Sequence, residues 1–270
     1  MTDVEVLPSL PASASLASSA PVARRRSGRY ELRAVSDEAA LDAVQRLRYR
    51  VFNLELGEGL ASSRASGRDE DRFDRQCHHL LVEDREVGEV VGTYRLQTAA
   101  MAAAADGFYC DGEYDLGALP ARVSERALEI GRACIAREHR NRTVLFLLWQ
   151  GLAEALVAAG GRYLFGCCSL ASQDPSVGLV AAARLEREGW RHPHLWVPAR
   201  DRHACVAPPG PAAPTAVELP ALFRSYLRYG ARVASPPAID REFKTIDFLV
   251  LLDIETLDVW SRRMFFAPPA

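Results

Sequence analysis

The sequence predicts one α+β domain built on a mixed central sheet, and three observations predict it. Short apolar strands and amphipathic helices follow one another with no internal repeat and no linker after residue 28. At 49% hydrophobic residues, a chain of 270 can bury a substantial core. At residues 127–152, an apolar strand carrying Glu129 and Arg132 breaks into a basic loop, Arg137-Glu-His-Arg-Asn-Arg142. That loop opens directly into an apolar helix. A helix N-terminus beside arginines suits an anion, because unpaired N–H groups, the helix dipole and bidentate guanidinium donors all favour phosphate there.

In chain order, residues 1–28 are rich in Ala, Ser and Pro and end near Arg24-Arg-Arg26, which predicts a disordered tail. The arginine triplet reads as a solvated run or as a contact for anionic lipid. Residues 30–35 alternate as a strand. Ser36 is the expected cap of a helix over 39–52, with Asp37 and Glu38 in its first turn. Leu41, Val44, Leu47, Val51 and Phe52 keep helical spacing. A polar loop over 57–75 gathers Asp69, Glu70, Asp71 and Asp74. Strands at 79–83 and 87–96 flank a turn at Asp84-Arg-Glu. Residues 99–125 read as irregular. The strand at 127–135, the basic loop and a helix from about 143 follow, and Gly160-Gly161 stops that helix. A buried strand at 162–168, a helix at 174–188, a Pro- and His-rich loop at 192–216, a helix at 219–229 and a closing strand at 243–252 complete the order.

Several function classes fall away. Lys plus Arg total 33 against 35 Asp plus Glu, a net charge of -2, so no global basic footprint for nucleic acid exists. The six cysteines show no CxxC pair and no regular spacing. Free thiols in a reducing cytosol are the plain reading, and no metal site is expected. His192, His194, His203 and Cys205 are too irregular for one. Cys167 and Cys168 read as core, as do Phe146, Leu147 and Trp149. No apolar run approaches the ~20 residues that cross a bilayer.

Taken together, these segments resemble the ornithine Nα-acyltransferase branch of the GCN5-related N-acetyltransferase superfamily, whose members also carry a hemolysin label. The chain also resembles acyl-homoserine-lactone synthases and long-chain N-acyl amino acid synthases. The resemblance rests on Leu47-Arg-Tyr-Arg-Val-Phe52, Asp71-Arg-Phe-Asp74 with Cys77-His-His-Leu-Leu-Val82, and Val91-Gly-Thr-Tyr-Arg-Leu96. It continues through Glu129-Ile-Gly-Arg132, Leu148-Trp-Gln-Gly-Leu152, Phe165-Gly-Cys-Cys-Ser-Leu170, Tyr226-Leu-Arg-Tyr-Gly-Ala231 and Asp240…Phe243…Asp247-Phe248. It implies a three-layer sandwich, with helices on both faces of the sheet, over a single domain at 29–270. It implies transfer of a long-chain, 3-hydroxylated acyl group from acyl carrier protein to the α-amine of ornithine, the first step of ornithine lipid biosynthesis. Other acceptors, an acyl-homoserine-lactone-type reaction, and a non-enzymatic membrane-active or binding protein are the alternatives. One departure stands out. The superfamily's phosphate loop is glycine-rich, whereas Arg137–Arg142 has no glycine, which suits a carrier-protein phosphopantetheine better than acetyl-CoA. No resident cofactor is expected, acyl-CoA remains an alternative donor, and the expected place of work is the cytoplasm, with peripheral contact at the inner face of the cell membrane as the alternative.

Such a reaction must hold a pantetheine, deprotonate an amine, stabilise an oxyanion and orient the acceptor. Glu129 is read as the base, directly or through water, or as a structural or acceptor-orienting group paired with Arg132. Arg132, three residues on, reaches the same face only across a β-bulge, which the resemblance implies. Asp71 and Asp74 share one face and suit the acceptor's cationic groups, or form an exposed acidic loop. Arg48 and Arg95 either bind the acceptor carboxylate or pin that loop. Arg50 reads as solvated. Arg137, Arg140 and Arg142 are the donor candidates, for phosphate and for an acidic carrier protein, or a surface loop touching nothing.

Overall fold

The computed structural model describes residues 22–206 and 216–266. Nine strands form one mixed sheet: β1 (Arg25–Ser27), β2 (Tyr30–Ala34), β3 (His78–Asp84), β4 (Glu89–Thr98), β5 (Ala127–Ile135), β6 (Tyr163–Leu170), β7 (Arg232–Val233), β8 (Ala238–Asp240) and β9 (Thr245–Asp253). The helices are α1 (Glu38–Arg48), α2 (Ser63–Ser66), α3 (Ala99–Ala103), α4 (Ala121–Ser124), α5 (Arg142–Ala158), α6 (Pro175–Arg187), α7 (Ala221–Arg228) and α8 (Val259–Phe266). The sheet order is β1-β2-β3-β4-β5-β6-β9-β7, with β8 also on β9. Neighbours are antiparallel except β5 and β6, which α5 connects as a crossover.

The period of two in β3 explains the layers. Leu80 and Val82 pack with Leu148 and Leu152 of α5 on one face. Leu81, between them, packs with Leu41 and Val44 of α1 on the other. Farther along, Ile246, Phe248 and Val250 of β9 meet α6 and α7, while Leu249 and Leu251 face the 110–127 segment. Helices therefore cover both faces, as the resemblance implies.

Several expectations are corrected. Residues 1–21 of the expected tail lie outside the described residues, but its end is not tail: Arg25–Ser27 pair with β2. Of the arginine triplet, Arg25 is withdrawn from solvent onto Glu154 at 3.0 Å, whereas Arg24 and Arg26 stay exposed while pairing with Glu31. Asp37, not Ser36, caps α1, accepting the Ala40 N–H at 2.8 Å. The predicted helix to Phe52 changes type: α1 ends at Arg48 and a π-helical turn, Tyr49–Glu55, follows. The irregular stretch at 99–125 contains α3 and α4, and α8 follows the closing strand. Part of the Pro-rich loop, residues 207–215, lies outside the described residues. Among the described residues, no helix is long and apolar enough to cross a membrane.

Two irregularities in β5 position the site. Thr93 pairs with Cys134 and Arg95 with Gly131, so Tyr94 faces two residues, Arg132 and Ala133. This is a β-bulge, and Arg132 takes φ 48 there. On its other edge, β5 pairs with β6 only from Ala127↔Tyr163 to Glu129↔Phe165. Beyond that the two strands part. Gly166 sits at the divergence, where an added Cβ would fall 2.1 Å from the Ile130 carbonyl oxygen. Gly166→Ala is therefore expected to push β6 outward and cost about 1–3 kcal/mol, as overpacking does. Thermal unfolding checks it, and an unchanged melting temperature would contradict this close approach.

Candidate active site

The parted strands enclose a cavity of about 390 Å³. One end is aromatic and apolar, with Trp149, Leu152, Tyr226, Tyr229, Phe265 and Phe266 in its wall. Trp149 stacks on Tyr226 with centroids 5.7 Å apart and meets Tyr229 and Phe265 edge-on. Its indole N–H donates to the Tyr94 hydroxyl at 3.1 Å, and that hydroxyl also bonds the Tyr226 hydroxyl. Trp149 thus lines the cavity as well as packing in the core. The other end is polar and acidic, with Glu58, Glu129, Arg132, Asp240 and Asp247 in its wall.

Glu129 and Arg132, the two candidate catalytic residues, both face this cavity, but they do not pair with each other. The Glu129 carboxylate accepts the backbone N–H groups of Tyr109, at 2.9 Å, and Cys110, at 2.7 Å. Burial raises its pKa, and those two bonds oppose the rise. Both oxygens hold the 109–110 turn against β5, so this geometry favours the structural or orienting reading over that of a free base.

The acidic face predicted at Asp71 and Asp74 forms, but it turns away from the cavity toward three arginines. Arg48 is fully buried; its Nη1 and Nη2 donate to Asp74 at 2.9 and 2.8 Å, and its Nε donates to Asp69 at 2.8 Å. Arg95 donates to Asp71 at 2.6 Å and Asp74 at 2.9 Å. Arg132 donates to Asp71 at 2.8 Å and its Nε lies 3.2 Å from Asp69. The guanidinium of Arg48 foremost among these charges holds the Asp74 carboxyl far below the usual range, and that of Arg95 lowers Asp71. Of the four acceptor candidates only Arg95 lines the cavity. Arg48 therefore pins the acidic loop, and Asp71 and Asp74 orient the arginines that reach the site. The His79 Nε2–H donates to the Asp74 carbonyl, 2.9 Å away, and burial lowers the imidazole to about 4, so it is neutral.

The donor candidates sit on the exposed loop before α5 and at its first residue, Arg142, and they differ. Arg137 is exposed. Arg140 is committed to Glu55 through two bonds of 2.6 and 2.8 Å. Arg142 lies 5.3 Å over the Phe146 ring. Asn141 caps α5 by accepting the Val144 N–H at 3.1 Å.

A family model described as an acetyltransferase (GNAT) domain matches residues 47–150. The L-ornithine N(alpha)-acyltransferase of Brucella abortus (strain 2308) is 36% identical over 250 residues, 86% of this chain and 87% of that protein. The chain belongs to the L-ornithine N(alpha)-acyltransferase family. The Rhodobacter capsulatus enzyme of the same name is 34% identical over 252 residues, 87% of this acyltransferase and 94% of the relative. Among solved structures, FeeM, an N-acyl amino acid synthase from uncultured soil microbes, superposes with a TM-score of 0.51 at 11% identity, covering 87% of this acyltransferase and 97% of FeeM. That likeness concerns the fold alone.

Sequence reasoning missed several residues that the fold brings into the acyltransferase site. Glu58 follows the π-helical turn, lines the cavity, and makes no side-chain hydrogen bond or ion pair among the described residues. Burial, with a smaller push from Asp247, raises its carboxyl to about 7. Asp240 closes the turn between β8 and β9 and accepts the N–H groups of Glu242 and Phe243, each at 2.8 Å. Phe243 then packs under Arg132, whose guanidinium lies 4.4 Å from the ring centre. Asp247 is buried in β9, and burial raises it to about 6. A carboxylate inside the run Thr-Ile-Asp-Phe-Leu-Val-Leu-Leu was the available signal, since a buried charge is costly unless something uses it. Cys167, read as core, lines the cavity with its Sγ 3.5 Å from that of Cys110.

Proposed function

We propose that this acyltransferase moves a long-chain, 3-hydroxylated acyl group from acyl carrier protein to the α-amine of ornithine. The observation that carries this reading is the one cavity joining an acidic end to an aromatic apolar end where β5 and β6 part. The apolar end suits the acyl chain and the acidic end suits a cationic acceptor, which puts the thioester at the divergence. Among the described residues no strand pairs with β5 beyond Glu129 on that side, which leaves its N–H groups available to the pantetheine and to the developing oxyanion.

In this reading Glu58 takes a proton from the acceptor's ammonium, a task suited to a carboxyl near pH 7. The free amine attacks the thioester carbon. The C–N bond forms as the C–S bond breaks, and the pantetheine thiolate leaves and is protonated. Arg132, aimed by Asp69 and Asp71, offers a cation to the acceptor carboxylate. Glu129 keeps the 109–110 turn in the wall. Exposed Arg137 and Arg142 and the absence of glycine from their loop support an acidic carrier protein as donor. The product, an N-acylornithine, is a one-chain amphiphile that a second acylation would convert into a two-chain lipid. Work in the cytoplasm, against the membrane that takes up the product, follows from that chemistry.

The test is mass spectrometry of the purified protein with 3-hydroxyacyl carrier protein, or the matching acyl-CoA, and a pool of amino acids. N-acylornithine formed from the carrier protein is expected. A different acylated amino acid would make the chain an N-acyl amino acid synthase. Lysis of membranes by the protein alone, with no product from either donor, would overturn the enzymatic reading.

A further inference from the structure

The buried acids of this chain are neutralised in different ways. Glu31, Asp69, Asp74 and Asp84 each face an arginine. Glu129 and Asp240 accept backbone N–H groups. Asp247 and Glu113 have neither: the two carboxyls face each other, with the Ser169 and Thr245 hydroxyls beside Asp247. They are 3% and 4% exposed, and Asp247 Oδ1 and Glu113 Oε2 have no hydrogen-bond partner. Among the described residues, no arginine, lysine or histidine is ion-paired with either. One oxygen from each, with the Cys167 Sγ, lies within 4.8 Å of the others. Asp247 lines the acidic end of the cavity together with Asp240 and Glu58. Burial raises Glu113 well above the usual carboxyl range, with Asp247 the first of the charges adding to it. Buried carboxyls without a counter-ion are costly to a fold, and Asp247 in the cavity wall, with Glu113 behind it, leaves room for a cation brought by a ligand.

We propose that Asp247, backed by Glu113 and with Asp240 beside it, binds the side-chain ammonium of the acceptor and thereby sets which amino acid is acylated. The proposal rests on the acyl-acceptor reading above and names the part of the site that selects the acceptor. An ammonium brings three donors and a positive charge to carboxyls that have no counter-ion. With that end held, the α-amine is the nitrogen left at the thioester. Norvaline, which matches ornithine in carbon skeleton but lacks the ammonium, leaves the recess unmet. A site with buried polar groups rejects an analogue that cannot pair with them.

The test compares ornithine with norvaline as acceptors for the wild type, Asp247→Asn and Glu113→Gln, and follows the melting temperature with ornithine alone. The wild type is expected to prefer ornithine in kcat/KM by at least ~10³-fold. Each variant should lose at least ~10-fold of that preference, through a higher KM for ornithine with the KM for acyl donor unchanged. Free Asp247→Asn should melt no lower than the wild type, since an orphan charge has gone, and ornithine should stabilise it less. An undiminished preference in both folded variants would overturn the proposal while leaving ornithine acylation standing. Wild-type protein that acylates no amino acid would remove the functional reading and this proposal with it. Stabilisation by zinc or magnesium alone that ornithine does not compete with would assign the recess to a metal and overturn the proposal.

Discussion

Arg48→Ala is expected to destabilise the fold by about 3–5 kcal/mol, the cost of breaking a buried ion pair from one side. Arg48 is fully buried, and three of its nitrogens serve Asp69 and Asp74. Alanine leaves both carboxylates in the core, with Asp74 served by Arg95 and Gln45 and Asp69 only by Arg132. For a chain of this size the loss corresponds to a fall in melting temperature of about 6–20 °C. Total stabilities of roughly 5–15 kcal/mol make that a large fraction. Activity should fall too, because Asp74 and Asp71 aim Arg95 and Arg132. Arg50→Ala is the control: Arg50 is exposed and 3.9 Å from Glu89, so a change within about 0.5 kcal/mol is expected. Equal melting temperatures for the Arg48 and Arg50 variants would remove the buried network as a source of stability.

Glu58→Gln is expected to lower turnover by about 10²- to 10⁴-fold, the range for loss of a general base. The same variant should be more stable than the wild type at pH 8. Burial raises the Glu58 carboxyl to about 7 in the folded chain, against about 4.3 for an unfolded glutamate. As pH rises from about 4 to 7, the unfolded chain gives up this proton first, so ionisation progressively disfavours the folded state. Glutamine removes that penalty. The difference in melting temperature should therefore be near zero at pH 4, grow up to about pH 7 and level off above it. Comparing the two proteins cancels the opposing contribution of His79, which burial keeps neutral. A catalytically idle Glu58 would give the pH-dependent stability gain with turnover intact.

How much of this was legible in the sequence depended on how local the cause was. β5 lies at Ala127–Ile135 as expected, and α5 begins at Arg142, one residue before the expected start, because an apolar run and a polar loop set both ends. α6 starts after Asp174, which accepts the Ser176 N–H, with Pro175 opening the helix. The π-helical turn after Arg48 was not legible, since Val51 and Phe52 are buried under either hydrogen-bond pattern. Asp71 and Asp74 were found as a pair, with pinning by Arg48 and Arg95 one of two readings; the choice between the two was not legible, because the partners come from separate elements, α1, β4 and β5. The acidic end of the cavity was missed for the same reason. Glu58, Glu113, Asp240 and Asp247 are isolated acids in separate segments, and only the bent and parted strands bring them together. The bulge at Arg132 was implied by the resemblance, and the φ of 48 shows it.

The account places the acceptor's side-chain ammonium in the acidic recess and its α-amine beside Glu58 at the thioester. The most direct test is to locate the acyl group on the ornithine product by fragmentation mass spectrometry or NMR. An amide on the α-nitrogen with a free side-chain amine is the predicted result. Acylation of the side-chain nitrogen would contradict it, because the acceptor would then sit in the cavity the other way round.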